Sequence, residues 1–70
     1  MADDVLLNKA AAIERAVGRA RQEYADDDAN LLQNQTRQDA IILNLQRACE
    51  SSIDAAMHLV RIHRLGVPQF

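Results

Sequence analysis

From Arg37 to Leu65 the chain runs without a single glycine or proline, then meets Gly66 and, two residues on, Pro68. Thr36 precedes the stretch and Asp39 follows it by three residues, a spacing that resembles a capping box with Asp in the usual Glu or Gln position. At the far end Gly can adopt the left-handed conformation that closes a helix, and Pro prevents its resumption. This pattern predicts a helix over about 37–65, roughly 43 Å long at 1.5 Å per residue. A compact globule of such a chain would have a radius of gyration of about 11 Å, hence a diameter of about 28 Å. The helix is longer than the globule. The chain therefore folds as an extended hairpin or as one part of a larger bundle.

A first helix is predicted over about 4–25. Asp3 or Asp4 can cap its exposed N–H groups, and their charge suits the positive end of the helix dipole. Leu6, Ala10, Ile13, Val17, Ala20 and Tyr24 then recur at alternating spacings of four and three, a coiled-coil-like seam. Lys9, Arg15, Arg19 and Gln22 fall away from that seam, and Arg19 and Glu23 stand at ion-pair spacing. Gly18 marks either a close approach of a neighbour or an unoptimised surface position. The run Asp26-Asp27-Asp28 suits a helix C-terminus badly and predicts a solvated acidic loop over 26–35, with Leu31 and Leu32 suggesting a short packed turn within it. The expectation is an all-α chain, two antiparallel helices joined by that loop.

Composition supports the helical reading. The chain is 49% apolar but only 3% aromatic, with two Gly and one Pro, which leaves too few turn and aromatic residues for a β-sandwich or barrel. Net charge is −2, which does not suit a non-specific polyanion binder, although seven of the ten acids lie in residues 1–35. The single cysteine, Cys49, cannot form an internal disulfide and reads as a small buried hydrophobe. The acidic start and the absence of a long apolar run predict a cytoplasmic protein with no membrane contact.

Around the second helix, at 100° per residue, Ile41, Ile42, Leu45, Ala48, Cys49, Ile53, Ala55, Ala56, Leu59 and Val60 span about 160°. One neighbouring helix covers a stripe nearer 100°. The first helix alone is insufficient, so exposed apolar side chains and homo-oligomerisation through the second helix are expected. Opposite this arc, Asn44, Arg47, Glu50, Asp54, His58 and Arg61 form a polar ridge. One reading has it lining a site, with Asp54 orienting His58 for proton transfer; the other is a solvated face with local ion pairs, Arg47 with Glu50 and Asp54 with His58. No third ligand accompanies Asp54 and His58, so no metal is expected, and no motif for a cofactor is present.

The run from Thr36 to Glu50, continued through Ile53, Asp54, Ala55, Ala56, Met57 and His58 and closed by Leu65-Gly66-Val67-Pro68-Gln69, resembles the N-terminal half of HepT-like proteins of the HEPN superfamily. Asn8-Lys9, Ile13-Glu14-Arg15 and Tyr24 fit their first helix. The resemblance covers essentially the whole chain. It implies the N-terminal half of a HEPN-type helical bundle, and a metal-independent endoribonuclease toxin paired with a nucleotidyltransferase antitoxin. The family's catalytic motif is an Arg, a spacer of four to six residues and a His. Neither His58 nor His63 has an Arg at that spacing, so no catalytic residue is carried over and the chain is expected to be inactive alone. Arg47, Glu50, Asp54 and His58 are what the resemblance carries over, as residues supporting the site or the dimer cleft. RNA is the implied family substrate, with weak or no binding expected here. The alternative is a non-catalytic helical module that dimerises and docks on a nucleotidyltransferase.

Overall fold

The computed structural model describes residues 3–63, all of whose regular structure is helical. Three helices follow in order: α1 over Asp4–Tyr24, α2 over Asp28–Leu32 and α3 over Gln35–His63. The long helices α1 and α3 run antiparallel, as cross-links of Asp3 to His58 and Lys9 to Asp54 require. With a radius of gyration of 15.3 Å and a longest dimension of 46 Å, the molecule is an elongated layer rather than a globule.

Two boundary expectations are corrected. The acidic segment 26–35 is not a plain loop, because Asp27 caps α2 by accepting from the Ala29 N–H at 3.0 Å. The two-helix expectation therefore becomes three helices. At the start of α3 the cap is Asn34, whose side chain accepts from the Arg37 N–H at 3.0 Å, and Thr36 already lies inside the helix. Asp39 turns to Gln35, whose amide donates to it at 2.7 Å, instead of closing a capping box. A short amide one residue earlier than Gln35 performs the same chemistry as a Thr cap, so the composition signal was sound and its register was not. The stop at Gly66 and Pro68 lies outside the described residues.

α1 starts where its caps predict. Asp3 Oδ1 accepts from the N–H groups of Val5 and Leu6 at 3.0 and 3.2 Å. The helix ends at Ala25, whose φ of 50° is left-handed, and Asp26 repeats this at 53°. Two successive non-glycine residues in that region are held by what surrounds them. Arg37 donates to the Glu23 carbonyl at 3.2 Å and Asn30 to the Tyr24 carbonyl at 2.7 Å, satisfying carbonyls that a helix end leaves open. Gln38 ties down Leu31 in the same way at 3.0 Å. Leu31 is half-buried, whereas Leu32 is 72% exposed, so only one of the two leucines packs.

The contact between α1 and α3 is narrow. Ala16 and Ala20 of α1 are buried against Ile41, Asn44 and Ala48 of α3. Ala16 replaces the exposed Ala10 in the expected seam. Small side chains let the two backbones approach but remove little apolar surface from water, at roughly 25 cal/mol per Å². Among the described residues no large side chain is fully buried, and Ile42, Leu45 and Ile53 remain 46%, 47% and 62% exposed. The excess of the apolar arc over one neighbour is borne out. Cys49, expected inside, is exposed because it sits on the part of the arc that α1 does not reach. Gly18 is a surface position, since a Cβ there would meet nothing within 4 Å.

Candidate functional site

The polar ridge of α3 does not form one solvated face. Asn44 and His58 lie at its edge and turn toward α1, whereas Arg47 and Asp54 stand on the flank beside it. Asn44 is 6% exposed, and its amide donates to the Ala40 carbonyl one turn back at 2.8 Å. This back-bond satisfies a buried polar group without a partner from α1.

The expected Asp54–His58 pair is not formed. His58 Nε2 lies 2.9 Å from Asp3 Oδ2, and Asp54 accepts from Lys9 Nζ at 3.3 Å. The Asp54 carboxylate takes a cross-helix partner instead of His58, its neighbour one turn along the same helix. Asp3 thus divides its oxygens: Oδ1 caps α1 and Oδ2 holds His58. The His58 bond first, and the Leu6 N–H second, hold the Asp3 carboxyl below its usual value. The pair fastens the start of α1 to the last third of α3. A carboxylate also meets a phenol at the other end of α1, where Tyr24 donates to Asp28. That bond and the Asp28 charge push the Tyr24 phenol up from its ordinary value.

Arg47 and Glu50, the other two ridge residues of interest, do not pair with each other in the structure. Arg47 instead lines an open groove of about 460 Å³ between α1 and α3, together with Arg15, Arg19, Asn44 and Ser51. Arg15 and Arg19 were assigned away from the seam, and sequence reasoning missed them as site residues. They sit on the flank of the seam, and the register of α1 against α3 brings them beside Arg47. Arg19 keeps its expected ion pair with Glu23 at 2.6 Å and also bonds Gln22. Among the described residues neither Arg15 nor Arg47 has an acidic partner. The other flank carries an apolar groove lined by Val17, Ala20, Tyr24, Leu31, Ile41 and Leu45. Among the described residues no group of three His, Cys, Asp or Glu stands close enough to hold a metal, and no helix is long and apolar enough to cross a membrane.

The Ribonuclease HepT-like family matches residues 13–70. The chain belongs to the HepT-like ribonuclease family. It is 46% identical over 67 residues to the mRNA nuclease HepT of Shewanella oneidensis, covering 96% of this chain and 50% of that protein. It also matches the solved structure of a tri-AMPylated Shewanella oneidensis HEPN toxin in complex with MNT antitoxin. There the identity is 45% and the TM-score 0.89, over 99% of this chain and 51% of that one. The chain spans about half the length of the HepT-like relatives it matches. The three-helix layer is alike in fold to about half of that HEPN toxin chain.

Proposed function

We propose that this chain is the helical scaffold half of a HepT-type RNA-cleaving toxin, and that it does not cleave RNA by itself. The observation that carries this reading is its likeness, at 46% identity, to half of an mRNA nuclease. Its inactivity alone is supported by the sequence, in which neither His58 nor His63 has an Arg at the spacing of the family's catalytic motif. A general base needs a free imidazole nitrogen directed at the proton it removes. Asp3 engages Nε2 of His58 and leaves Nδ1 as the nitrogen open to act as a base, and the Asp54 carboxylate expected to orient the ring is engaged by Lys9. His58 is a clamp between helices. Arg47 lines the groove between α1 and α3, Asp54 pairs with Lys9, and Glu50 lies beside Ile42, Leu45 and Ile53 on the uncovered surface of α3.

The partner in this reading is a nucleotidyltransferase antitoxin of the MNT kind, by likeness to the complex of the related HEPN toxin. A second copy is the other expected partner. Ile42, Leu45, Cys49 and Ile53 line a continuous apolar surface of α3 that α1 leaves uncovered, and self-association through α3 removes it from water. The decisive test incubates the purified chain with mRNA. The RNA is expected to remain intact. Cleavage that persists through repurification and disappears in His58→Ala would overturn the scaffold reading and make the Asp3–His58 pair catalytic.

A further inference from the structure

We propose that the groove formed by Arg15, Arg19 and Arg47 is a phosphate-binding site for the backbone of single-stranded RNA. The inference rests on the scaffold reading and assigns that scaffold a substrate-holding surface. Guanidinium groups bind phosphate oxygens through paired N–H donors in a fixed fork, which makes arginine the residue suited to such recognition. Three of them converge on one groove in a chain whose overall charge is −2. Only Arg19 is offset locally, by Glu23. Arg15 and Arg47 have no acidic partner among the described residues, and Asp54 on the same flank is taken by Lys9.

Arg19 is held differently, by Glu23 and Gln22, so its guanidinium is fixed at the mouth of the groove before any ligand arrives. Arg15 and Arg19 are one helical turn apart, about 6 Å along the axis. Successive phosphates of an extended strand can meet that spacing. The floor favours a nucleic-acid backbone over a protein partner. It consists of Ala12, Ala16, Asn44 and Ser51, small or polar groups with no large apolar anchor, whereas the larger apolar side chains gather on the opposite flank. A strand lying here needs no base recognition, so binding should be insensitive to sequence and sensitive to salt.

The test measures fluorescence anisotropy of a labelled single-stranded 2′-O-methyl oligonucleotide with the 70-residue chain. The methylated ribose blocks attack by the 2′-oxygen, so binding is read independently of cleavage. Each arginine–phosphate contact contributes about 0.7 to the slope of log affinity against log salt for a single strand. The intact groove is therefore expected to give a slope of about −2, and Arg47→Gln about −1.4 with a roughly tenfold weaker affinity. Arg15→Gln with Arg47→Gln together should leave a slope of about −0.7. Arg21 lines the apolar groove on the opposite flank, so Arg21→Gln removes the same charge from there and is expected to leave affinity within twofold. Circular dichroism checks that the variants stay helical, as expected for arginines without internal ion pairs.

Equal losses in Arg21→Gln and Arg47→Gln would overturn the proposal by making the binding a matter of net charge. So would absence of binding at low salt, or displacement of the oligonucleotide by a polyglutamate peptide at equal concentration, which would assign the groove to an acidic protein surface. Failure of the groove is distinguishable from failure of the scaffold reading. The first leaves unmodified RNA uncut and unbound; the second cuts it.

Discussion

The two flanks of the α1–α3 contact lack opposite things. On one, Arg15 and Arg47 stand without acidic partners; on the other, Leu45, Ile42 and Ile53 stand without cover. A bare guanidinium on a surface costs little, because water solvates it well. A bare isoleucine costs the transfer energy it would recover on burial, about 1.5–3 kcal/mol for a full side chain. The physical pressure to acquire a partner is therefore much stronger on the apolar flank. The difference teaches which flank governs assembly and which governs ligand binding. Assembly follows hydrophobic area, whereas a charged groove sets what is attracted and how salt weakens it.

The largest effect is expected on assembly. Sedimentation at tens of micromolar should show the chain self-associated. Ile53→Glu combined with Leu45→Glu should return it to a monomer, since each change places a charge where apolar contact is needed. Changes on the arginine flank should not alter the assembly state. A clean monomer of the unaltered chain with cooperative melting would break the comparison, by showing that the apolar flank needs no cover.

A second test works within the apolar arc itself. Ile41 is 6% exposed and Ile53 is 62% exposed, although both lie on the face that the sequence marks as apolar. Ile41→Ala should destabilise by about 2–5 kcal/mol, enough to unfold a layer this thin. Ile53→Ala, measured on the dissociated chain, should change stability by less than about 0.5 kcal/mol. Chemical denaturation at a concentration below association reads both. Similar costs at the two positions would mean that Ile53 is covered within a single chain.

Sequence alone resolved which residues are apolar and where helices run, but not which part of an apolar arc meets α1. The arc from Ile41 to Val60 and its excess over one neighbour follow from spacing at 100° per residue, and the structure bears them out. The register of α1 against α3 does not follow. It depends on which alanines let the backbones close, and Ala16 was absent from the expected seam. Register then decides every cross-helix partner. It sends Asp54 to Lys9 and His58 to Asp3, and it brings Arg15 and Arg19 beside Arg47. The local i,i+4 rule found Arg19 with Glu23, where no other helix competes, and failed at Asp54 and His58, where one does. α2 was missed for a related reason: three successive Asp residues read as solvated, yet one of them is a cap.

The back of α1 belongs to neither flank and sharpens the comparison from outside. Gly18 has open space where a Cβ would stand. Gly18→Ala should therefore stabilise by about 0.5–1 kcal/mol through helix propensity, with no change in assembly or oligonucleotide binding. Thermal melting checks it. A loss of stability would mean that a neighbour approaches the helix there in the assembled state.

The smallest effect concerns the end of the arginine flank, where Asp3 joins the helices, and its sign is fixed by the direction of the carboxyl shift. The His58 bond and the Leu6 N–H lower the folded-state pKa of Asp3 below its unfolded value of 3.8. The charged form is favoured in the folded chain, so this contribution is fully present above the unfolded value and is lost as pH falls through the folded one. Water reaches the carboxylate, which screens the interaction and keeps the effect modest. Urea midpoints followed from about pH 5 down to pH 2 should show an acid-side decline that Asp3 shares with the other acids. Asp3→Asn preserves the cap, since Asn serves a helix start as well as Asp, while removing the titration. The variant is expected to start slightly less stable and to decline less steeply, so the two curves converge at low pH. Parallel curves would show that the His58 contact contributes nothing to the folded state. Asp3→Ala removes cap and clamp together and should melt several degrees below Asp3→Asn, separating what the carboxylate does for α1 from what it does across to α3.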